Sequence, residues 1–221
     1  MKNNLFCLFL AILSWPLYSQ PTINNKEDRN AATEAIQLLK SKGVIVVRLK
    51  TYQSKIAALE ANLKNEKLKP SRRKELEAML QETTDMRDAI NQTLFSTFKD
   101  SFDFCPVYFC FDKDARTLSQ GTRKGIFLDS EMKPDPDISL SDTAAVFVAY
   151  FHEKSGDYPL NGLMLRKLNE TLDEPFPAYT PIRESFVNEI NTPKLKKTIL
   201  FLDQRLKALY QLAGKKGKKT D

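Results

Sequence analysis

Two strand-like segments with a helical stretch between them constrain this chain more than any other feature. Val44-Ile45-Val46-Val47-Arg48-Leu49 is a β-branched run of strand length, and Phe104 to Phe111 is almost entirely apolar or aromatic. Runs without polar alternation belong to strands covered on both faces. Between them, over residues 51–100, the period changes. Tyr52, Ile56, Leu59 and Leu63 recur at helical spacing, and Lys69-Pro70-Ser71 interrupts the pattern. Leu76, Met79, Met86, Ile90 and Leu94 then share one face of a second helix, with Ser71 expected as its N-cap. The two helices read as an antiparallel hairpin with charged outer faces. If the flanking strands are parallel neighbours, that hairpin is their crossover, and the chain is α/β.

The remaining segments fit this frame. Ala32, Ala35, Ile36 and Leu39 mark a helix over residues 30–42, stopped by Gly43. Short strands are predicted at Gly125–Leu128, Ala144–Phe151 and Leu163–Lys167. The last two flank the turn-forming Gly156-Asp157-Tyr158-Pro159 and are expected to run antiparallel. Pro175-Phe176-Pro177 begins an irregular stretch, and Leu195 to Ala213 closes the chain as an amphipathic helix. The predicted fold is one α/β domain over residues 30–213, with a small mixed sheet, a long helical hairpin crossover and a C-terminal amphipathic helix. A polar linker at residues 20–29 precedes it, and a basic, solvated tail at residues 214–221 follows.

The first residues carry an address. One charge in Met1-Lys2-Asn3-Asn4 precedes an apolar run from Leu5 to Tyr18, and the small Ser19 follows. This pattern predicts a signal peptide at residues 1–19 and a periplasmic or extracellular destination. The run falls short of the roughly 20 apolar residues of a spanning helix, and no later stretch reaches that length, so no transmembrane segment is expected after cleavage. With 42% hydrophobic and 28% charged residues the chain is of ordinary globular composition, not a disordered one. The net charge of +6 comes from dispersed lysines, which argues against a nucleic-acid partner. The expected partner is a protein or another component of the cell envelope.

Three segments carry a resemblance: Gly43 to Thr51, Phe104-Cys105-Pro106-Val107-Tyr108-Phe109, and Pro175-Phe176-Pro177. They resemble a group of exported proteins of Bacteroidota in which a similar strand, helical region and aromatic strand follow a signal peptide. That group has no assigned activity. The resemblance implies the compartment and the architecture, and assigns no site residue.

The chemistry-bearing residues are few. Outside the signal segment only Cys105 and Cys110 carry thiols. Five residues of extended strand span about 16 Å, against roughly 4.4–6.8 Å between the Cα atoms of a disulfide, so the two are expected to stay unjoined. Their spacing also differs from that of a thiol oxidoreductase. His152 is the single histidine, which excludes His-rich zinc sites and favours a surface or turn position beside Glu153. Asp112-Lys113-Asp114 directly follows the aromatic strand, where α/β proteins commonly bind ligands. With Thr117-Leu118 it resembles the haloacid dehalogenase-like phosphohydrolases. That resemblance implies Asp112 as nucleophile, Asp114 as general acid/base and magnesium beside both. Ala115-Arg116 inserts one residue too many, and a later acidic pair for the metal is missing, so a plain turn is the simpler expectation. Asn91-Gln92-Thr93 and Asn169-Glu170-Thr171 match the N-glycosylation acceptor pattern, and Asp142-Thr143-Ala144 resembles the O-glycosylation acceptor of Bacteroidota. No complete catalytic set is present, and no cofactor is called for. The sequence therefore predicts a non-catalytic interaction protein. A phosphohydrolase using Asp112 and Asp114 is the competing class, and a thiol-based redox protein using Cys105 and Cys110 the third.

Overall fold

In the computed structural model, helix α1 (Lys26–Lys42) passes into strand β1 (Gly43–Leu49) without a loop. A Cβ at Gly43 would collide with the backbone of Leu39, so only glycine permits this junction. The residues described are 26–158, 160–172, 174–182 and 192–217; the segment that carries the signal-peptide pattern lies outside them, as does Pro159 of the expected turn. After β1 come α2 (Gln53–Leu63), α3 (Pro70–Ser101) and β2 (Val107–Phe111). A single 3-10 turn, Asp112–Asp114, leads into the short α4 (Ala115–Ser119). Strands β3 (Ala145–His152), β4 (Gly162–Lys167) and β5 (Tyr179–Pro181) precede the closing helix α5 (Thr192–Gly217).

The strands form one sheet in the order β2-β1-β3-β4-β5. Strand β1 is parallel to both neighbours, with Arg48 opposite Cys110 on one side and Tyr150 on the other. Strand β4 runs antiparallel to β3, and β5 antiparallel to β4. The sheet is mixed, and the helical hairpin is the β1–β2 crossover, as its long apolar-striped sequence requires.

The period of two along β1 sorts its side chains between two cores. Ile45, Val47 and Leu49 join Leu39, Leu94, Phe98, Phe104, Phe147 and Leu202 under α1, α3 and α5. Val44 and Val46 face the other way, with Cys110, Leu118, Phe127, Leu140 and Val148. One face therefore carries three helices. Among the described residues, the other carries α4 and the irregular chain of residues 122–141. Burial on both faces is why β1 reads as a continuous apolar run.

Several boundaries differ from the sequence expectation, each for a local reason. Residues 26–29, expected as linker, are already helical in α1, where Glu27 and Asp28 are compatible with a helix as well as with a linker. Ser71 does not cap α3: Lys69 holds that position without a side-chain bond, and Pro70 takes the first helical turn, where its missing N–H costs nothing. Strand β2 is an edge strand and starts at Val107, not Phe104; Val107, Tyr108 and Phe111 are half-buried, while Phe104 and Cys105 are buried ahead of it. The expectation that both of its faces are covered therefore holds only for part of the run. Gly125–Leu128 forms isolated bridges rather than a strand, among them Cys110 with Phe127, after a turn with Gly125 at φ +78. Strand β5 was not foreseen, since three residues around Thr180 carry no alternation to read. Helix α5 extends to Gly217 and takes in the first part of the expected tail. Among the described residues, no helix is long and apolar enough to cross a membrane.

Candidate functional site

The carboxyl ends of β1 and β2 lie side by side, and residues just beyond them meet. Asp112 follows β2 directly, and its Oδ1 accepts hydrogen bonds from the Thr51 backbone N–H (3.1 Å) and hydroxyl (2.5 Å). Thr51 lies just past β1, so this carboxylate ties the two strand ends together. Asp112 is thus not an idle turn residue but a latch. Asp114, at the other end of the same turn, is half-buried and makes no hydrogen bond or ion pair among the described residues. Among those residues, no group of three or more His, Cys, Asp or Glu converges to hold a metal ion.

Asn91 on α3 continues the pattern at β1. Its side-chain amide donates to the Lys50 carbonyl (2.7 Å), and its carbonyl accepts from the Lys50 N–H (2.9 Å). One amide side chain thus satisfies both main-chain groups of the residue after the strand. Asn91 is 7% exposed, so it is no glycan acceptor; Asn169 lies exposed at φ 63.

These contacts frame a cleft of about 740 Å³ between the strand ends, α3 and the loop at Met132. Phe111 and Met132 supply its apolar surface, and Lys50, Thr51, Arg87, Asp88, Gln92 and Glu131 its polar margin. Arg87 is turned toward Asp88, Nε to Oδ1 at 2.8 Å. The loop is shaped by Asp129, whose Oδ1 accepts the N–H groups of Glu131 (2.8 Å) and Lys133 (2.9 Å). Those two backbone donors, that of Lys133 first, hold the Asp129 carboxyl below the usual range. Nearby, the Tyr52 phenol donates to Glu153; burial first, and then this bond, pushes the phenol well above its usual pKa. The volume and mixed lining match a small-ligand pocket.

The other candidates lie apart. Cys105 and Cys110 are free and buried. Burial pushes both thiols up to about 12, so neither offers a thiolate nucleophile near neutral pH. His152 pairs with Gly162 across β3–β4, its Nε2 lies 3.2 Å from the Ser155 hydroxyl, and its ring meets Tyr158 edge-on. Cys110 lies instead in the row of Arg48 and Tyr150. Among the described residues, no cysteine–histidine pair forms.

Sequence reasoning found Asp112 and missed Thr51, Asn91 and the cleft. A signal for the first existed: Thr51 and Asp112 directly follow two segments expected to be parallel neighbours. Asn91 reads from the sequence only as part of a glycosylation acceptor pattern, which gives no hint of its bonds to Lys50. Compared with family models, curated proteins and solved structures, the chain matches none.

Proposed function

We propose that the chain is an exported, non-catalytic binding protein of the cell envelope or exterior, and that the cleft at the carboxyl ends of β1 and β2 receives its ligand or a partner's side chains. The cleft carries this reading: its size suits a small ligand, Phe111 and Met132 give it an apolar surface, and Thr51 and Asn91 are engaged in holding the strand ends. Asp112 is occupied by the N–H and hydroxyl of Thr51, and among the described residues neither a histidine nor a cysteine lines the cleft to complete a catalytic set. The export pattern at residues 1–19 and the resemblance to exported proteins of Bacteroidota support the compartment. A probe with an apolar body and an anionic group, such as anilinonaphthalene sulfonate, suits Phe111 and Met132 flanked by Lys50 and Arg87. Ala89 lines the cleft and is exposed, so Ala89→Trp fills the space without entering the core. The expected outcome is saturable probe fluorescence with the wild type, lost in Ala89→Trp at an unchanged melting temperature. Equal fluorescence from both proteins overturns the reading.

A second reading keeps one observation in its favour. Asp112 and Asp114 are both half-buried at a strand's carboxyl end, and Asp114 has no partner among the described residues. A magnesium-dependent phosphohydrolase would use that pair.

A further inference from the structure

On the sheet face away from α3, three strands bring two arginines to one tyrosine. Alternation places Arg48 on the same face as Val44 and Val46, and Tyr150 stands opposite it on β3. Arg166 faces Val148 from β4, one diagonal step from Tyr150. The Arg48 guanidinium carbon lies 4.2 Å from the Tyr150 ring centroid, and that of Arg166 5.8 Å.

Both side chains are half-buried, and the Nε of each is buried without a hydrogen-bond partner. Among the described residues, neither guanidinium makes a hydrogen bond or an ion pair. Contact with the ring face offsets part of this loss of water but fills no N–H donor. Burial pushes Arg48 below its usual pKa; the Tyr150 phenol opposes this, while the like charge of Arg166 adds to it. Asp112 also favours the Arg48 charge, but its Oδ1 is committed to Thr51. Two like charges flanking one ring and partly dehydrated, each with an unfilled Nε donor, are unfavourable unless an acceptor arrives from outside the fold.

We propose that Arg48 and Arg166, gathered about Tyr150, form a receptor for an oxyanion carrying two negative charges: a phosphate monoester or a dicarboxylate. Two guanidinium forks present donors in the planar geometry that such oxygens accept in pairs. A dianion neutralises both charges, whereas a monocarboxylate leaves one unpaired. The site stands on the opposite side of the sheet from α3, one wall of the cleft, and does not depend on what the cleft binds.

The test titrates the full chain calorimetrically with inorganic phosphate, succinate and acetate at fixed ionic strength. Saturable binding of one dianion is expected, at least about tenfold tighter than acetate. Arg166→Gln is expected to weaken that binding at least about tenfold, because it removes charged donors. Arg166→Lys keeps the charge, and hence the electrostatics of the fold, but loses the fork; several-fold weakening is expected. Preference for phosphate assigns the ligand as a phosphate ester, and preference for succinate as a dicarboxylate. The proposal fails if neither dianion binds saturably, or if binding is unchanged in the folded variants, Arg166→Lys deciding should Arg166→Gln not fold.

Discussion

The two ends of the parallel strands are built on opposite terms. At the amino end of β2, Asp203 of α5 is 5% exposed and accepts the backbone N–H groups of Asp103 (3.4 Å) and Phe104 (3.2 Å). Lys207 pairs with Asp203 at 2.6 Å and also with Asp103. Lys40 of α1 donates to the Phe104 carbonyl at 2.7 Å and lies over the Phe104 ring. Segments far apart in sequence close on one another there, and donors meet acceptors inside the fold. Toward the carboxyl end a cleft opens, the Nε donor of Arg48 is unfilled, and the contacts of Thr51 with Asp112 and of Lys50 with Asn91 secure the rim. Groups whose partners lie within the chain serve stability. Groups left wanting partners mark where something else is to bind.

This contrast breaks first if the closed end proves dispensable. Asp203→Ala removes a buried acceptor from two backbone N–H groups and leaves Lys207 only Asp103 as a partner, so a loss of about 3 kcal/mol is expected in urea unfolding. A loss below about 1 kcal/mol would erase the distinction between the ends.

The thiols sharpen it, because Cys105 lies near the closed end and Cys110 in the row of Arg48. Burial raises both from 9.0 to about 12, so the fold favours the neutral thiol. That contribution is fully present below about pH 9 and is lost as the pH rises toward 12, by about 1 kcal/mol per thiol at pH 9.5. Stability measured from pH 7 to 10 is expected to fall over this range, and replacing both cysteines by alanine to flatten the slope. Neither thiol is expected to react with a disulfide reagent before unfolding. Faster labelling of Cys110 than of Cys105 would mean that the carboxyl end opens separately.

The smallest expected effect tests the rim. Asp112→Asn keeps an acceptor for Thr51 but loses the charge that strengthens both bonds, at a cost of about 1 kcal/mol. Millimolar magnesium is expected to leave the melting temperature of the wild type and of both Asp112→Asn and Asp114→Asn unchanged, with no hydrolysis of an aryl phosphate. A magnesium-induced rise lost in both variants, with hydrolysis lost in Asp112→Asn, would move the assignment to the phosphohydrolase.

How much of this was legible follows from the range of the interactions. The helices, β1 and the crossover were readable because period and length are local, and a hairpin between two buried strands admits one connection. The pairing of β1 with β3 was not, since Ala145 to His152 reads the same beside any neighbour. At the candidate site, Asp112 was visible as a carboxylate after a strand. Its role was not, because Thr51 arrives from 61 positions away in sequence. The Arg48–Tyr150–Arg166 group is fainter still: three residues on three strands share a face only once the register across all three is fixed.

The loopless junction at Gly43 has a consequence for how this chain can vary in length. Each added residue turns a helix by about 100° and sends every following strand side chain to the opposite face. With no loop between α1 and β1 to absorb the change, the buried stripe of Ala32, Ile36 and Leu39 and the in–out order of Ile45, Val46 and Val47 are locked in phase. One residue inserted near position 43 would put Arg48 beneath the helices and Val47 among the arginine's former neighbours. The bend between α2 and α3, at residues 64–69, has no such coupling and can lengthen freely. Descendants of this chain should therefore differ in length at the hairpin's tip and be invariant in length across the junction.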